Sequence, residues 1–302
     1  MALHYHLVDV FTDRLFGGNQ LAVFLGGQDV PEDLMQPIAR ELNLSETTFV
    51  LPPEAPEADF RVRIFTPAAE LPMAGHPTVG TAFVLAREGR IPVRAGTSVV
   101  HLEEGVGVLP VEIRHRGDRP TGATMDQPGP RFGPVFEDRE ALAATLGLEL
   151  RDLDPESPAE VVSCGVPFLF APLRSLDAVR RARPRLDLWA EHLEPFAAAQ
   201  VYLFCRHVQL PGSDVHGRMF APTLGVLEDP ATGSANGPLG CYLVRHGLAG
   251  GGDPLRLVSE QGFEMGRPSL LEIEIHGGPH EIRRVRVGGD CVHVGRGELE
   301  LA

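Results

Sequence analysis

The stretch of the sequence most suggestive of chemistry runs from residue 218 to 243 and reads RMFAPTLGVLEDPATGSANGPLGCYL. Its pattern predicts a strand, a loop that carries Glu228 and Asp229, and a Thr-Gly-Ser turn that opens a helix. The first turn of a helix presents free backbone N–H groups and the positive end of the helix dipole, which suit a carboxylate or phosphate. The stretch therefore indicates an anion site. The alternative is that Ser234 is only an N-cap and Asp229 only a loop residue.

The same pattern occurs a second time, about half a chain earlier. RIFTP at 63–67 matches RMFAP at 218–222, and AGHPTVGTAFVL at 74–85 matches TGSANGPLGCYL at 232–243. This match pairs Gly75 with Gly233 and His76 with Ser234. Because the order of strand, acidic loop, polar turn and apolar helix recurs at the same offset, we predict two similar lobes. Such lobes would direct both helix starts into one cleft, a common location for small ligands.

Glu46 is the candidate acid–base group, because Ser45 and Glu46 stand at the entrance of the β-branched, apolar strand TTFVL. Taken by itself, this position of Glu46 favours an exposed carboxylate at a strand end over a catalytic group. Its counterpart in the second lobe is expected around Ser163, in a segment that contains no carboxylate. A racemase that uses two bases needs a group on each side of its substrate. The sequence therefore favours a single base that moves a proton along the substrate.

The elements that position these residues are strands and helices in mixed order, which predicts an α+β fold. A chain of 302 residues exceeds one ordinary core. The polar, breaker-rich segment 115–122 is the candidate linker, which gives a first lobe at 1–118 and a second at 119–302, with the strands of 281–302 as candidates to return to the first. Helices are predicted at 31–42, 77–87, 137–146, 186–196 and 234–246, with Pro77 and Pro238 in first turns. Strands are predicted at 3–11, 21–25, 47–51, 61–66, 98–114, 161–171, 202–207, 216–220, 255–258, 270–275, 282–287 and 292–294.

Composition excludes several classes of function. A net charge of −14 argues against nucleic acid and anionic membranes as partners. All 27 basic residues are arginine, which removes Schiff-base lysines and the P-loop lysine. The four scattered cysteines and the histidines show no spacing typical of a metal site. The start of the chain does not resemble a signal peptide and no apolar run is long enough to span a bilayer, so we expect a cytoplasmic protein.

Several motifs together are similar to those of the PhzF family, the phenazine-biosynthesis isomerases. They are GGNQLAVF, NLSETTFVL, RIFTPAAELPMAGHPTVGTAFVL, MDQP, RMFAPTLGVLEDPATGSANGPL and QGFEMGRPSLLEIEI, and they extend over essentially the whole chain. The resemblance implies a diaminopimelate-epimerase-like fold of two pseudo-symmetric α+β lobes, each a mixed, largely antiparallel sheet wrapped around a central helix. It also implies a homodimer that needs no cofactor and no metal. One departure is Gln20, where the family commonly has proline.

The resemblance also implies roles for individual residues. Glu46 matches the proton shuttle of the isomerases, and His76 and Asp229 match residues that orient the substrate and assist proton transfer. The substrate-binding positions implied are Asn19, Ser45, Gly75, Gly233 and Ser234. The related epimerases use a cysteine at each helix turn, and these turns contain no thiol here.

The activity implied is the isomerisation of trans-2,3-dihydro-3-hydroxyanthranilate, a small cyclic carboxylate. One alternative is a related isomerase or epimerase that acts on another small carboxylate. A second alternative is a binding protein that keeps the fold without turnover. The presence of Glu46, His76 and Asp229 together favours an enzyme, because a binding protein needs the anion site but no base.

Overall fold

Strands form most of the regular structure, in agreement with the alternating patterns of the sequence. The computed structural model describes residues 2–93 and 96–301. Its α-helices are α1 (Glu32–Leu42), α2 (Gly75–Arg87), α3 (Arg139–Thr145), α4 (Leu176–Arg181), α5 (Leu186–His192) and α6 (Gly233–Arg245). Its strands are β1 (Ala2–Val10), β2 (Asn19–Phe24), β3 (Glu46–Leu51), β4 (Phe60–Phe65), β5 (Glu70–Leu71), β6 (Thr97–Glu104), β7 (Gly107–Arg116), β8 (Arg119–Gln127), β9 (Arg131–Val135), β10 (Glu160–Ser163), β11 (Pro167–Pro172), β12 (Val201–Cys205), β13 (Val215–Ala221), β14 (Val226–Asp229), β15 (Leu255–Gln261), β16 (Ser269–Gly278) and β17 (Glu281–Glu300).

The chain divides into two compact units. The first contains Met1–Asp126 and Gly288–Ala302, and the second contains Gln127–Val287. The division follows Asp126 rather than residue 118, because the segment predicted as a linker at 115–122 is a β-hairpin. In this hairpin β8 pairs antiparallel with β7, and Gly117 takes a positive φ of 66° in the turn. The two strands predicted at 282–287 and 292–294 are one strand, β17.

In the first unit, the strands surround helix α2. Strands β2 and β3 are parallel neighbours, β3 and β4 are antiparallel, and β4 pairs antiparallel with β5 and parallel with β6. Helix α2 packs against β1, β2, β3 and β7, and its residues 75–86 are all buried. A Cβ atom at Gly80 would lie 2.6 Å from a methyl group of Leu21, so a glycine is needed where the helix meets the sheet.

The second unit repeats this order of pairing. Strands β11 and β12 are parallel, β12 and β13 are antiparallel, and β13 pairs antiparallel with β14 and parallel with β15. Helix α6 lies between β14 and β15 in the chain, as α2 lies between β5 and β6. It packs against β10, β11 and β16, and eleven of its thirteen residues are buried. The duplication that the sequence predicts is confirmed, as is the α+β fold class.

The Arg-x-Phe sequence recurs in both units for a structural reason. Nε and Nη2 of Arg63 donate to the two carboxylate oxygens of Glu70 at 2.7 and 2.8 Å. The guanidinium of Arg218 forms the same fork with Glu228, at 2.8 Å for both bonds. Each guanidinium also lies over the phenylalanine two residues later, at 5.2 and 4.8 Å from the ring centroid. Glu228, first considered together with Asp229 as an acidic pair, is therefore held by Arg218.

Candidate active site

Helix α2 starts two residues earlier than the sequence predicts. Ala74 is the N-cap residue and Gly75 is the first helical residue, so Pro77 is the third rather than the first. A proline there is harmless, because the first N–H groups of a helix have no partner within the helix. No side chain caps this end among the described residues. The first turn consequently presents backbone N–H groups beside His76.

The loop before β2 places Asn19 beside this turn. Gly18 has a φ of 63°, and a Cβ atom there would lie 2.3 Å from the carbonyl oxygen of Val10, so no other residue fits. Asn19, the first residue of β2, is completely buried. Its Nδ2 atom lies 3.2 Å from Nδ1 of His76.

Glu46 lies on the other side of the imidazole. Because Leu21 of β2 is the register partner of Glu46 in the parallel strand β3, both strands begin at the same edge of the sheet. The Oε2 atom of Glu46 lies 3.1 Å from Nε2 of His76, and their side chains are 16% and 5% exposed. Ser45, half-buried, precedes Glu46. Asn19, His76 and Glu46 thus form a continuous polar group within the first unit.

The imidazole of His76 is neutral in this environment. Burial lowers the pKa of His76 to about 3, although a backbone hydrogen bond with Gln20 acts in the opposite direction. A neutral ring carries one N–H and one lone pair, so it can donate on one side and accept on the other. Near neutral pH, Glu46 therefore faces a hydrogen-bonding group rather than a cation. A carboxylate positioned beside such a group suits general acid–base chemistry.

In the second unit, Asp229 ends β14 and is fixed by the turn that follows. Oγ1 of Thr232 donates to Oδ2 of Asp229 at 2.5 Å, and the Asp229 residue is only 7% exposed. Thr232, not Ser234, is the N-cap residue of α6, so the alternative that Ser234 is an N-cap is wrong. Gly233 and Ser234 are the first two helical residues, matching Gly75 and His76 of α2.

Gln261 secures the Asp229–Thr232 turn, a role that the sequence analysis did not recognise. Its Nε2 atom donates to the backbone carbonyl of Asp229 at 2.8 Å and to Oγ1 of Thr232 at 2.9 Å. Its Oε1 atom accepts from the backbone N–H of Thr232 at 3.0 Å. Gln261 is completely buried at the end of β15. In the sequence, Gln261 is marked only by being the first residue of the motif QGFEMGRPS, and that motif indicates no particular chemical role for it.

Gln127 of the MDQP motif acts on the first turn of α6. Its Nε2 atom donates to the carbonyl of Gly233 at 2.9 Å. A Cβ atom at Gly237 would lie 2.0 Å from Oε1 of Gln127, so this glycine makes room for the amide. Pro238 is the sixth helical residue rather than a first-turn residue, and it supplies no N–H to the carbonyl of Ser234.

The position equivalent to Glu46 in the second unit is Gln200, not the segment around Ser163. In the first unit, Phe49 faces Arg63, three residues after Glu46. In the second unit, Leu203 faces Arg218, and three residues before Leu203 is Gln200. The prediction that the second unit lacks a carboxylate at this position is confirmed, although it was made for the wrong residues. An amide stands there, and an amide cannot act as a base near neutral pH.

Each unit therefore contains part of the predicted set. The structure brings Asn19, Ser45, Glu46, Gly75 and His76 to the start of α2, and Asp229, Gly233 and Ser234 to the start of α6.

Every helix in the described part of the chain is too short or too polar to span a membrane.

Comparison with known proteins agrees with this arrangement. The family model for phenazine biosynthesis-like proteins, PhzC-PhzF, matches residues 8–297. The chain belongs to the PhzF family. The trans-2,3-dihydro-3-hydroxyanthranilate isomerase of Pseudomonas fluorescens is 38% identical over 300 residues, which are 99% of each chain. This PhzF-family protein is an isomerase, as the sequence analysis predicts.

Solved structures share the fold of this PhzF-family isomerase. The Bacillus anthracis phenazine biosynthesis protein of the PhzF family superposes with a TM-score of 0.90 at 29% identity, over 100% of both chains. A hydroxyproline epimerase from Agrobacterium vitis superposes with a TM-score of 0.67 at 16% identity, over 99% of this chain and 92% of the epimerase. The second likeness concerns the fold alone, and it confirms the expected epimerase-like architecture.

Proposed function

We propose that this isomerase converts trans-2,3-dihydro-3-hydroxyanthranilate by moving one proton, with Glu46 as the acid–base group. The observation that carries the proposal is the largely enclosed carboxylate of Glu46, 16% exposed and 3.1 Å from the imidazole of His76 at the start of α2. The pKa of about 3 keeps this histidine uncharged, so it does not form an ion pair with the carboxylate. The name of the relative from Pseudomonas fluorescens supports the choice of substrate.

The chemistry requires one group that takes a proton and then returns it. Glu46 removes the proton at C3 of the cyclohexadiene, and the conjugated diene spreads the negative charge that develops. Return of the proton at C1 gives an enol, which tautomerises to the ketone. No atom is gained or lost. General acid–base catalysis by a positioned side chain contributes about 10²–10⁴-fold to such a step.

The remaining residues hold the substrate in this proposal. The N–H groups in the first turn of α2, which include Gly75, suit the substrate carboxylate, and those of Gly233 and Ser234 in α6 suit an anionic group for the same reason. Asn19 orients the ring of His76, and Ser45 lies beside the base. Asp229, with its oxygen fixed by Thr232, suits the substrate amine. The homodimer implied by the family stays a prediction.

Two features argue against epimerisation by two bases. The position equivalent to Glu46 holds Gln200, as the strand register shows. The helix starts hold His76 and Ser234, and all four cysteines are buried elsewhere. Neither turn holds a thiol, so the pair of thiol bases used by the related epimerases is absent from these positions.

The test compares wild type with Glu46→Gln and Glu41→Gln, where Glu41 is an exposed glutamate of α1. Turnover is followed by the ultraviolet absorbance of trans-2,3-dihydro-3-hydroxyanthranilate. We expect Glu46→Gln to lower kcat by about 10²–10⁴-fold and Glu41→Gln to leave kcat unchanged. Near-wild-type kcat in Glu46→Gln would reject Glu46 as the base. Wild-type protein that binds the compound without converting it would reject this substrate and favour a binding role.

A further inference from the structure

Glu104 is a buried carboxyl group that the proposed chemistry does not use. It is the last residue of β6, and the residue is only 6% exposed. Its Oε1 atom lies 2.5 Å from Oγ1 of Thr78, whereas Oε2 is buried and has no hydrogen-bond partner among the described residues. Buried carboxylates are normally paired with a cation or several donors. A single hydroxyl neighbour is unusual and calls for an explanation.

Counting protons around Thr78 supplies that explanation. Oγ1 of Thr78 lies 2.6 Å from the carbonyl oxygen of Ala74 and 2.5 Å from Glu104. A hydroxyl has one proton to donate, and a carbonyl oxygen has none. If Thr78 donates to Ala74, then Glu104 must donate to Thr78. Both short contacts are favourable only when Glu104 carries a proton.

The surroundings of Glu104 agree with a neutral acid. Burial raises the pKa of Glu104 to about 8, although the hydrogen bond with Thr78 acts in the opposite direction. Gly107, its register partner on β7, carries no charge. His76 on α2 is neutral, and Glu103, the preceding residue, belongs to the opposite face of the strand and accepts from the backbone N–H groups of Glu54 and Ala55.

The chain of bonds from Glu104 ends at the start of α2. Ala74 is the N-cap residue of that helix, directly before Gly75 and His76, and Thr78 is its fourth residue. The turn after β6 packs closely against the residues just before α2. A Cβ atom added at Gly105 would lie only 2.8 Å from Cα of Pro72. Glu104 therefore supports the part of α2 on which the anion site depends.

We propose that Glu104 is a positioning residue for the substrate site, held as a neutral acid that donates to Thr78 and thereby fixes Ala74 and the first turn of α2. The inference rests on the proposed function in placing the substrate at this turn. Ionised Glu104 would compete with Ala74 for the hydroxyl proton of Thr78. Its negative charge would also offset the positive end of the helix dipole and weaken the binding of an anionic substrate.

The test uses the full chain labelled with ¹⁵N and compares wild type, Glu104→Gln and Glu103→Gln. The backbone amide signals of Gly75 and His76 are followed from about pH 6 to pH 10, a range that brackets the expected ionisation. We expect these signals to shift with a midpoint of about 8 in wild type and in Glu103→Gln. They should not shift in Glu104→Gln, because an amide donates to Thr78 at every pH. Signals that do not titrate in wild type would overturn the proposal, and so would titration that persists in Glu104→Gln.

Thr78→Val provides a second test of the positioning role, since it removes the hydroxyl of Thr78 and leaves Glu104 in place. We expect its Gly75 and His76 amides to differ from wild type even at pH 6. Unchanged amides would overturn the positioning role, because the hydroxyl would then transmit nothing to the turn. The wild-type titration alone decides the matter if neither variant folds.

Activity gives an independent readout. Above the midpoint, kcat/KM of wild type should fall about tenfold per pH unit, mainly through KM, and this fall should be absent in Glu104→Gln. An equal alkaline fall in both proteins would overturn the proposal. If wild type does not convert the substrate, the proposed function fails, while the amide titration still decides the role of Glu104.

Discussion

Replacing Gln261 by alanine should uncouple the Asp229 turn from the rest of the second unit. The amide of Gln261 makes three hydrogen bonds of 3.0 Å or less with Asp229 and Thr232. Each bond contributes about 1 kcal/mol net, so their sum is about 3 kcal/mol. The loss should be at least this large, because the N–H of Thr232 would be left buried without an acceptor.

The effect on activity follows from geometry. Asp229 is fixed through its own backbone carbonyl and through Thr232, and Gln261 contacts both groups. A displacement of about 1 Å in a positioning group can cost about 10²-fold in rate. We therefore expect kcat/KM of Gln261→Ala to fall by about that factor, in addition to the loss of stability.

The assay is urea denaturation of wild type, Gln261→Ala and Gln28→Ala, together with steady-state kinetics on each protein. Gln28 is exposed, and within the described residues its side chain makes a single long bond of 3.4 Å, to Asp29, so Gln28→Ala should match wild type. A loss below about 1 kcal/mol for Gln261→Ala, with kcat/KM unchanged, would refute the assigned role.

Two further predictions concern buried charges of the second unit. Burial alone would lower the pKa of His216, but its bonds to Glu260 at 2.8 Å and Glu264 at 3.0 Å raise it. The charged imidazole therefore stabilises the folded state below the unfolded pKa of 6.5, so the stability lost in His216→Gln should be largest there. The loss should shrink as the pH rises through the pKa of the folded state. Because the pKa values of both glutamates are lowered from 4.5 despite burial, the loss should also shrink under acid, which denaturation of both proteins across pH would measure. Arg218→Lys should cost about 3 kcal/mol in urea denaturation, because lysine keeps the charge but not the two-bond fork to Glu228.

Controls for these predictions come from exposed positions. His4→Gln should change stability little, because the side chain of His4 is 73% exposed. Arg185→Lys should change stability little, because its partner Asp187 is also exposed. A pH-independent loss in His216→Gln would contradict the doubly bonded imidazolium. Equal losses in both arginine variants would show that burial of the Arg218 fork is unimportant.

The sequence was a good guide wherever a local pattern decides the structure. Alternation predicts β1 and β4 within a residue or so of their ends, and Asn43 ends α1 in the left-handed conformation. The duplicated Arg-x-Phe strands and Gly-polar turns could be recognised in the sequence because both units use the same residue types for the same contacts. The residues at the start of α2 were therefore identified without the structure.

Tertiary pairing was harder to predict. The segment 115–122 reads as a linker because it is polar, yet an exposed hairpin has the same composition. The counterpart of Glu46 lies before β12 rather than at the end of β10, and this equivalence depends on which strands pair in space, which no local pattern shows. Gln261 and Glu104 act through partners far away in the chain, so no local signal shows what they do.

The last strand sets an order for folding during synthesis. The second unit is continuous, from Gln127 to Val287, whereas the first unit is completed by Gly288–Ala302. Along one edge β1 pairs with β17, from Ala2 with Glu300 to Val10 with Cys291. Strand β1 must therefore wait for β17 before this pairing can form. We expect the second unit to acquire protease resistance first on the ribosome, and the first unit to acquire it only once β17 has been synthesised.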